Sequence, residues 1–177
     1  LTLESAKTNQ FFKSIIEEQK TILETDPTLI NFCNDPSCNL SCPSCRVEKL
    51  ILRTGPKFDA RQEIHNKVVE GFISEPSDKA FTINVTGSGD PFASKIFRDF
   101  LFDLDGADFP NMLVNLQTNG VLFTKKNWEK LYKIHQNLQA MFISFDAATT
   151  ETYDITRRGG NWDVLLENVE FLSKRRE

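Results

Sequence analysis

Three cysteines, Cys38, Cys42 and Cys45, stand close together on one short segment, in the spacing Cys-x3-Cys-x2-Cys. Thiolates are soft, anionic ligands that suit iron and zinc, and three of them on one tight loop can reach a single iron–sulfur cluster. Such a set would hold three irons of a cubic cluster and leave the fourth iron without a protein ligand. The spacing therefore predicts a cluster with one corner open to a small molecule.

A fourth cysteine, Cys33, keeps a second interpretation open, in which the chain is a non-catalytic binding module stapled by zinc. Four-cysteine zinc sites commonly use two separated Cys-x2-Cys pairs, whereas the first two intervals here are x4 and x3. The alternation of residues 28–33 also places Cys33 on a buried strand. We therefore favour the cluster. The alternative zinc site would use Cys33, Cys38, Cys42 and Cys45.

Predicted strands and helices alternate along the chain around these cysteines. Apolar and β-favouring runs predict strands over residues 28–33, 80–86, 111–117 and 140–145. Apolar periodicity and capping residues predict helices over residues 3–24, 59–73, 92–104, 124–138, 149–156 and 161–174, with Asp59, Thr124 and Asn161 as caps. Strands joined by helices of this length pair in parallel with right-handed crossovers, so the fold class is α/β.

In parallel sheets of this kind, the ligand site lies at the C-terminal ends of the strands. Each predicted strand is followed by a loop rich in Gly, Asn, Ser, Asp or Cys. These loops are the cysteine loop, Gly87-Ser88-Gly89-Asp90, Thr118-Asn119-Gly120 and Ser144-Phe145-Asp146. We expect the four loops to converge at one edge of the sheet. Continuous apolar runs such as residues 141–143 also predict strands that are buried on both faces.

Composition narrows the class of protein. The 177 residues, 40% of them hydrophobic and 26% charged, are typical of one globular domain. A net charge of -4 without a long basic run argues against nucleic acid or an anionic membrane as the main partner. Since the sequence shows no apolar run of about 18 residues and no signal-peptide layout, we expect a cytoplasmic protein. Cysteines confined to residues 33–45 fit metal binding in a reducing compartment.

The cysteine loop, taken together with three later stretches, resembles the signature of the radical S-adenosylmethionine (radical SAM) enzymes. Ser88-Gly89-Asp90-Pro91 is similar to the Gly-Gly-Glu-Pro motif of that superfamily, and Thr118-Asn119-Gly120 follows at the end of the third strand. Ser144-Phe145-Asp146-Ala147 and the later stretch 157–162 resemble the SPASM-related branch. The resemblance covers residues 28–172. It implies a partial (β/α) TIM-like barrel of about four parallel strands at residues 28–177, behind an N-terminal helical extension at residues 1–27.

The resemblance also implies a function. Cys38, Cys42 and Cys45 would bind a 4Fe-4S cluster, and the amine and carboxylate of S-adenosylmethionine would chelate its open iron. One-electron reduction, by a partner such as flavodoxin or ferredoxin, would cleave S-adenosylmethionine to a 5′-deoxyadenosyl radical that takes hydrogen from a substrate. That substrate would be a peptide or a small molecule. The peptide is suggested by the SPASM-related branch, which often modifies peptides or proteins.

Two groups of residues are implied to bind S-adenosylmethionine, and the first follows the second strand. Main-chain groups of Ser88, Gly89 and Asp90 would hydrogen-bond the amine, with the Asp90 carboxylate assisting. Ser88 and Asp90 depart from the family pattern, which has glycine and glutamate at these positions. Ser44 stands where the family usually has an aromatic residue near the adenine.

The second group follows the fourth strand. Ser144 would contact the ribose, with Asp146 as a weaker candidate, and the guanidinium of Arg157 would pair with the carboxylate of S-adenosylmethionine. The family's barrel usually needs two further strands, and the SPASM extension carries additional cysteines. We therefore expect a C-terminal portion with most of the substrate-binding residues to follow residue 177, and a fragment lacking it could be inactive.

Overall fold

A computed structural model of the chain describes residues 10–85 and 88–175. This part of the chain contains four strands, β1 (Leu29–Phe32), β2 (Phe81–Val85), β3 (Met112–Thr118) and β4 (Leu138–Ile143). The α-helices within the described residues are α1 (Gln10–Glu17), α2 (Pro56–Phe72), α3 (Lys95–Asp103), α4 (Lys125–Lys130), α5 (Thr150–Thr156) and α6 (Trp162–Ser173). Two 3-10 helices, Gly106–Asp108 and Tyr132–Asn137, precede β3 and β4.

The strands form one parallel sheet in the order β1-β2-β3-β4. Doubly wound sheets reverse their strand order at a switch point, whereas a (β/α) barrel adds each new parallel strand beside the preceding one. The order found here is that of a barrel. The predicted α/β class and the partial barrel of four parallel strands are therefore confirmed.

One face of the sheet carries the core. Ile83 and Val85 of β2 and Val114 and Leu116 of β3 are fully buried and belong to the same apolar cluster as residues of α3. The opposite face is open along β4, where the Phe142 side chain is 59% exposed. The prediction that the strands are buried on both faces is thus wrong for the described residues, because their helices pack against only one side.

A row of asparagines crosses the open face at one level of the sheet. Backbone register places Asn31, Asn84 and Asn115 side by side on β1, β2 and β3. Asn84 Nδ2 donates to Asn31 Oδ1 at 2.8 Å, and Asn115 Nδ2 donates to Asn84 Oδ1 at 2.9 Å. Asn115 Oδ1 is buried and has no hydrogen-bond partner among the described residues. The row therefore ends in an unused acceptor.

Two predicted helices begin or end differently from the prediction. Asp59 does not cap the second helix, because Gly55 with φ 90° and Pro56 already start it, and Asp59 lies in its first turn. Proline is favoured at that first position because its fixed φ suits the helix. The helix predicted to run to residue 138 is α-helical only to Lys130 and then tightens into a 3-10 helix. Thr124 and Asn161 do act as caps, as predicted.

The N-terminal extension is described only from residue 10. Its helix α1 ends at Glu17, earlier than the predicted end at residue 24, and residues 1–9 lie outside the described part of the chain. Across the described ranges, no helix combines the length and the apolar sequence that a bilayer span needs. The division into an extension at residues 1–27 and a core at residues 28–177 remains a prediction.

A buried histidine in the core makes stability depend on pH. His65 of α2 is 3% exposed, its ring lies 4.7 Å from that of Phe32 and 5.0 Å from that of Phe100, and neither ring nitrogen has a partner in the described structure. Burial lowers the pKa of His65 from 6.5 to about 4, against a smaller opposing effect of the Asp35 carboxylate. The imidazole is therefore neutral in the folded protein.

We expect this histidine to destabilise the fold as the pH falls. Between about pH 6.5 and about pH 4 the unfolded state binds a proton at His65 that the folded state excludes, so this contribution is present above that range and is lost through it. A His65→Phe variant removes the proton-binding group and should flatten this part of the pH dependence. Thermal unfolding at several pH values would measure it. Parallel losses in both proteins would contradict the explanation.

Candidate metal and cofactor site

A cavity of about 230 Å³ lies at the C-terminal ends of the strands. It is lined by residues from each of the four predicted loops: several within 38–46, residues 88–89, residues 117–119, and Ser144 with Arg157 beyond it. All three cysteines of the trio are among them. The four loops therefore meet at one edge of the sheet, as parallel pairing requires. Gly87, which begins the second loop, is outside the described residues.

A larger cavity of about 630 Å³ lies elsewhere, lined by residues 24–28, Ile30, and residues within 71–81. Its lining contains no cysteine or histidine, and its Asp26 and Lys79 side chains pair with each other at 2.6 Å. Its lining therefore offers no soft metal ligand. The cysteine cavity is therefore the candidate functional site.

The cysteine loop is held in place by main-chain hydrogen bonds at several points. The amides of Cys45 and Arg46 both donate to Cys42 O at 2.9 Å, which closes a tight turn. Cys38 N donates to Leu50 O at 2.7 Å in an isolated antiparallel bridge. Ser41 N donates to Arg158 O at 3.0 Å, so the segment after α5 supports the loop from the other side. The loop thus presents its three thiols from a fixed backbone.

Each of the three thiols has an N–H donor beside it. Asn119 Nδ2 is 3.7 Å from Cys38 Sγ, Arg157 Nη1 is 3.7 Å from Cys42 Sγ, and Arg46 Nη2 is 3.6 Å from Cys45 Sγ. Burial raises the pKa of the Cys38 thiol, so its proton must be displaced when a metal binds. Each of the three cysteines, once deprotonated, would therefore have a side-chain N–H group beside its sulfur to stabilise the negative charge.

Cys33 lies outside this arrangement. It follows the last residue of β1, is exposed, and does not line the cavity, so the predicted buried strand position is wrong. The reason is alternation: Ile30 and Phe32 point into the core, which directs Cys33 to the other face. Among the described residues no group of three or more Cys, His, Asp or Glu converges as one metal ion needs. A cubic cluster does not require such convergence, because each thiolate binds a different iron.

The second loop packs tightly against the start of the cysteine segment. A Cβ on Gly89 would lie 2.5 Å from Ser37 O and 2.6 Å from Asp35 O, so only glycine fits there. Ser88 Oγ donates to Cys33 O at 2.8 Å, and Ser88 O accepts from Arg46 Nη2 at 2.7 Å. Ser88 and Gly89 both line the cavity. Their backbone is therefore placed beside the cysteines.

The Asp90 carboxylate lies within the protein and not in the cavity. Asp90 is 1% exposed, and its carboxylate accepts four hydrogen bonds. Oδ1 accepts from Phe92 N at 3.0 Å and from Ala93 N at 3.3 Å. Oδ2 accepts from Thr118 Oγ1 at 2.7 Å and from Asn119 N at 2.9 Å. Burial raises the pKa of this carboxyl, and the four hydrogen bonds oppose the rise. This carboxylate is thus not placed for the predicted assisting contact with a cofactor, while the predicted main-chain contact of Asp90 stays a prediction. Asp90 instead joins the loop after β2 to the end of β3.

Of the predicted site residues after β4, two line the cavity and one does not. Ser144 lines the cavity, and its amide donates to Thr118 O at 3.0 Å. Arg157 also lines it, while Asp146 does not and instead pairs with Arg157 Nη2 through Oδ2 at 2.7 Å. Arg157 Nε is buried without a partner among the described residues. The cavity therefore has a cationic donor with one unused N–H.

Two of the lining residues that were not predicted as site residues have side chains beside the cysteine thiols. Arg46 follows the third cysteine, and Asn119 lies in the predicted third loop, but neither was assigned a role. For Asn119 the signal was present in the loop that contains it. The role of Arg46 is visible only in the structure, because its partners are main-chain carbonyls that no sequence pattern relates to it. These partners are Pro36 O, at 2.6 Å, and Ser88 O.

A family model and a solved structure match this chain. A search of curated proteins found no match. One solved structure, described as "Crystal structure of BtrN in complex with AdoMet and 2-DOIA", shares 20% sequence identity with a TM-score of 0.46; the match covers 75% of this chain and 52% of that chain. The chain thus spans about half the length of that protein. A family model described as the Radical SAM superfamily matches residues 36–176. Because this match extends from the cysteine loop to the end of α6, the chain belongs to the radical SAM superfamily.

Proposed function

We propose that this chain is the core of a radical SAM enzyme in which Cys38, Cys42 and Cys45 bind a 4Fe-4S cluster and the surrounding loops bind S-adenosylmethionine. Members of the superfamily generally use these two cofactors and need a reductant. The observation that carries the proposal is the cavity at the strand ends, which is lined by all three thiols and by Arg157. Cys33 is absent from that lining, which leaves the fourth iron free of a protein thiolate.

The donor set fits these cofactors. Three thiolates supply the soft anionic ligands, and the guanidinium groups of Arg46 and Arg157 balance part of their charge. When bound, the cluster and S-adenosylmethionine supply reductive cleavage to a 5′-deoxyadenosyl radical, which abstracts hydrogen from the substrate. The protein holds the ligands, orients the cofactor and limits the access of water.

Four residues of the cavity would contact S-adenosylmethionine. The backbone at Ser88 and Gly89 faces the cysteines and is suited to the amine, while the Ser144 hydroxyl is suited to the ribose. Arg157 Nε is the unused donor that a carboxylate would satisfy. We assign Asp90 and Asp146 a positioning role, since they hold Asn119 and Arg157, respectively.

The remaining parts of the function are proposed by analogy. The stretches 144–147 and 157–162 support the SPASM-related branch, in which a peptide or protein substrate is common, and a small-molecule substrate is the alternative. Flavodoxin or ferredoxin would be a suitable one-electron reductant. The extension at residues 1–27 would stand outside the cofactor-binding core of residues 28–177.

Removing single cysteines tests the proposal. After anaerobic reconstitution with iron and sulfide, the wild-type chain should hold about four irons and absorb as a 4Fe-4S protein. Cys38→Ser, Cys42→Ser and Cys45→Ser should lose most of this iron because each removes one of three ligands. Cys33→Ser is the matched control and should retain it. Iron analysis, absorption and EPR with and without S-adenosylmethionine would measure the result.

Two outcomes would count against the proposal. A wild-type chain that takes up no iron and sulfide would refute it directly. About one zinc per chain, lost equally in Cys33→Ser and Cys42→Ser, would instead support the zinc-stapled module.

A further inference from the structure

The three side-chain N–H donors beside the thiols come from three different parts of the chain. Arg46 follows the cysteine turn, Asn119 follows β3, and Arg157 follows α5. Each stands beside a different sulfur, at 3.6–3.7 Å. The main-chain amide of Leu40 also donates to Cys38 Sγ, at 3.5 Å. One side-chain donor for each ligand is an arrangement that a loop held only by its own turn would not produce. The three residues form what we call the donor shell.

Each donor is also held by other groups, so its position does not depend on the sulfur. Arg46 is fixed by the carbonyls of Pro36 and Ser88, at 2.6 Å and 2.7 Å. Arg157 is fixed by Asp146 at 2.7 Å. Asn119 Nδ2 also donates to Asn39 Oδ1 at 2.9 Å, and its Oδ1 accepts from Val121 N at 3.1 Å. The donors are therefore preorganised around the thiols.

Such donors change how readily a cluster accepts an electron. Reduction adds negative charge, part of which lies on the ligating sulfurs, and N–H groups directed at those sulfurs stabilise the more negative state. Two of the three donors here carry a full positive charge, which strengthens the effect. Hydrogen bonding to the sulfurs is among the factors that set the potential of iron–sulfur clusters.

We propose that the donor shell raises the reduction potential of the cluster and that Arg46 is its principal positioning residue. This inference rests on the proposed function, since it needs the cluster to bind. Arg46 is singled out because one guanidinium joins three parts of the site: the segment before Cys38, the turn at Ser88 and the sulfur of Cys45. Its loss removes a charge and a donor together.

Potentiometry of the reconstituted holo-protein tests the inference without any assay of turnover. In an anaerobic redox titration followed by EPR, Arg46→Gln should shift the midpoint potential to a more negative value than that of the wild type. Arg46→Lys should shift it less, because the charge remains and the planar fork is lost. Arg158→Gln is the matched control: the Arg158 side chain supports the same loop through Ser41 Oγ and Val47 O, and within the described part of the chain it donates to no thiol.

A second variant covers the case in which Arg46→Gln does not load its cluster. Asn119→Asp keeps the size of the side chain but replaces the donor near Cys38 with a negative acceptor, so it should also shift the potential to a more negative value. Equal potentials in the wild type, in the Arg158→Gln control and in every donor-shell variant that loads iron would overturn the inference. Absence of a cluster in the wild type would instead refute the proposed function.

Discussion

Replacing Gly89 by alanine is expected to open the loops around the cavity and to abolish cluster loading. The added Cβ would lie 2.5 Å from Ser37 O and 2.6 Å from Asp35 O. Both atoms belong to the backbone and cannot rotate away, so the loop after β2 must move off the segment that precedes Cys38. Overpacking of this kind costs about 1–3 kcal/mol of stability. The larger loss is functional, because Ser88 and Gly89 line the site.

A second glycine in the same chain provides the control. A Cβ on Gly71, which lies within α2, would meet no atom within 4 Å. Gly71→Ala should therefore leave iron loading unchanged and stabilise the fold by about 0.5–1 kcal/mol, as expected when alanine replaces glycine in a helix. Urea unfolding and iron analysis of both variants would measure the contrast. Full cluster loading and wild-type stability in Gly89→Ala would show that the close approach is not essential.

Asp90→Asn is expected to have the largest effect on stability. The amide retains one acceptor oxygen, but its NH2 group must face two of the four donors that the carboxylate now satisfies. Each buried donor left without a partner costs about 1–3 kcal/mol. The substitution also removes the burial cost that raises the pKa of this carboxyl. Because this gain offsets part of the cost of the two unpaired donors, we expect the free energy of unfolding to fall by about 2–4 kcal/mol.

Chemical denaturation of Asp90→Asn and of a surface control would measure this loss. Asp103 at the end of α3 is exposed and makes no side-chain hydrogen bond or ion pair with the described residues, so Asp103→Asn should change the unfolding free energy by no more than about 0.5 kcal/mol. The loss in Asp90→Asn should be accompanied by weaker iron loading, because Asn119 and Thr118 lose their anchor. Similar free energies for the two variants would contradict the structural role assigned to Asp90.

Much of the fold was predictable because its signals are local. The β2 and β3 strands were found from apolar runs bounded by turns, and Thr124 and Asn161 were found as caps because a side-chain oxygen before a helix satisfies its free amides. Asp59 failed as a cap because Gly55 and Pro56 compete for the same helix start. The exposed face of β4 was missed because strand composition does not show which faces the remaining chain will cover.

The candidate site was predictable as a set of loops but not as a set of contacts. Parallel strands deliver their C-terminal loops to one edge whatever the loops contain, so the cysteines and Ser144 could be placed together from topology. The burial of Asp90 could not be predicted, because it depends on how the loop after β2 packs beneath β3. The role of Arg46 depends on carbonyls that no periodic pattern relates to it.

The asparagine row has a property that single side chains lack. Each carboxamide carries a donor at one end and an acceptor at the other, so rotating all three by half a turn preserves both links of the row and reverses its polarity. In the present direction Asn115 offers an acceptor, and in the reversed direction it offers a donor. Asn115 lies two positions before Gln117, which lines the cavity. The row can therefore present either an acceptor or a donor at Asn115 and still hold the same number of internal hydrogen bonds.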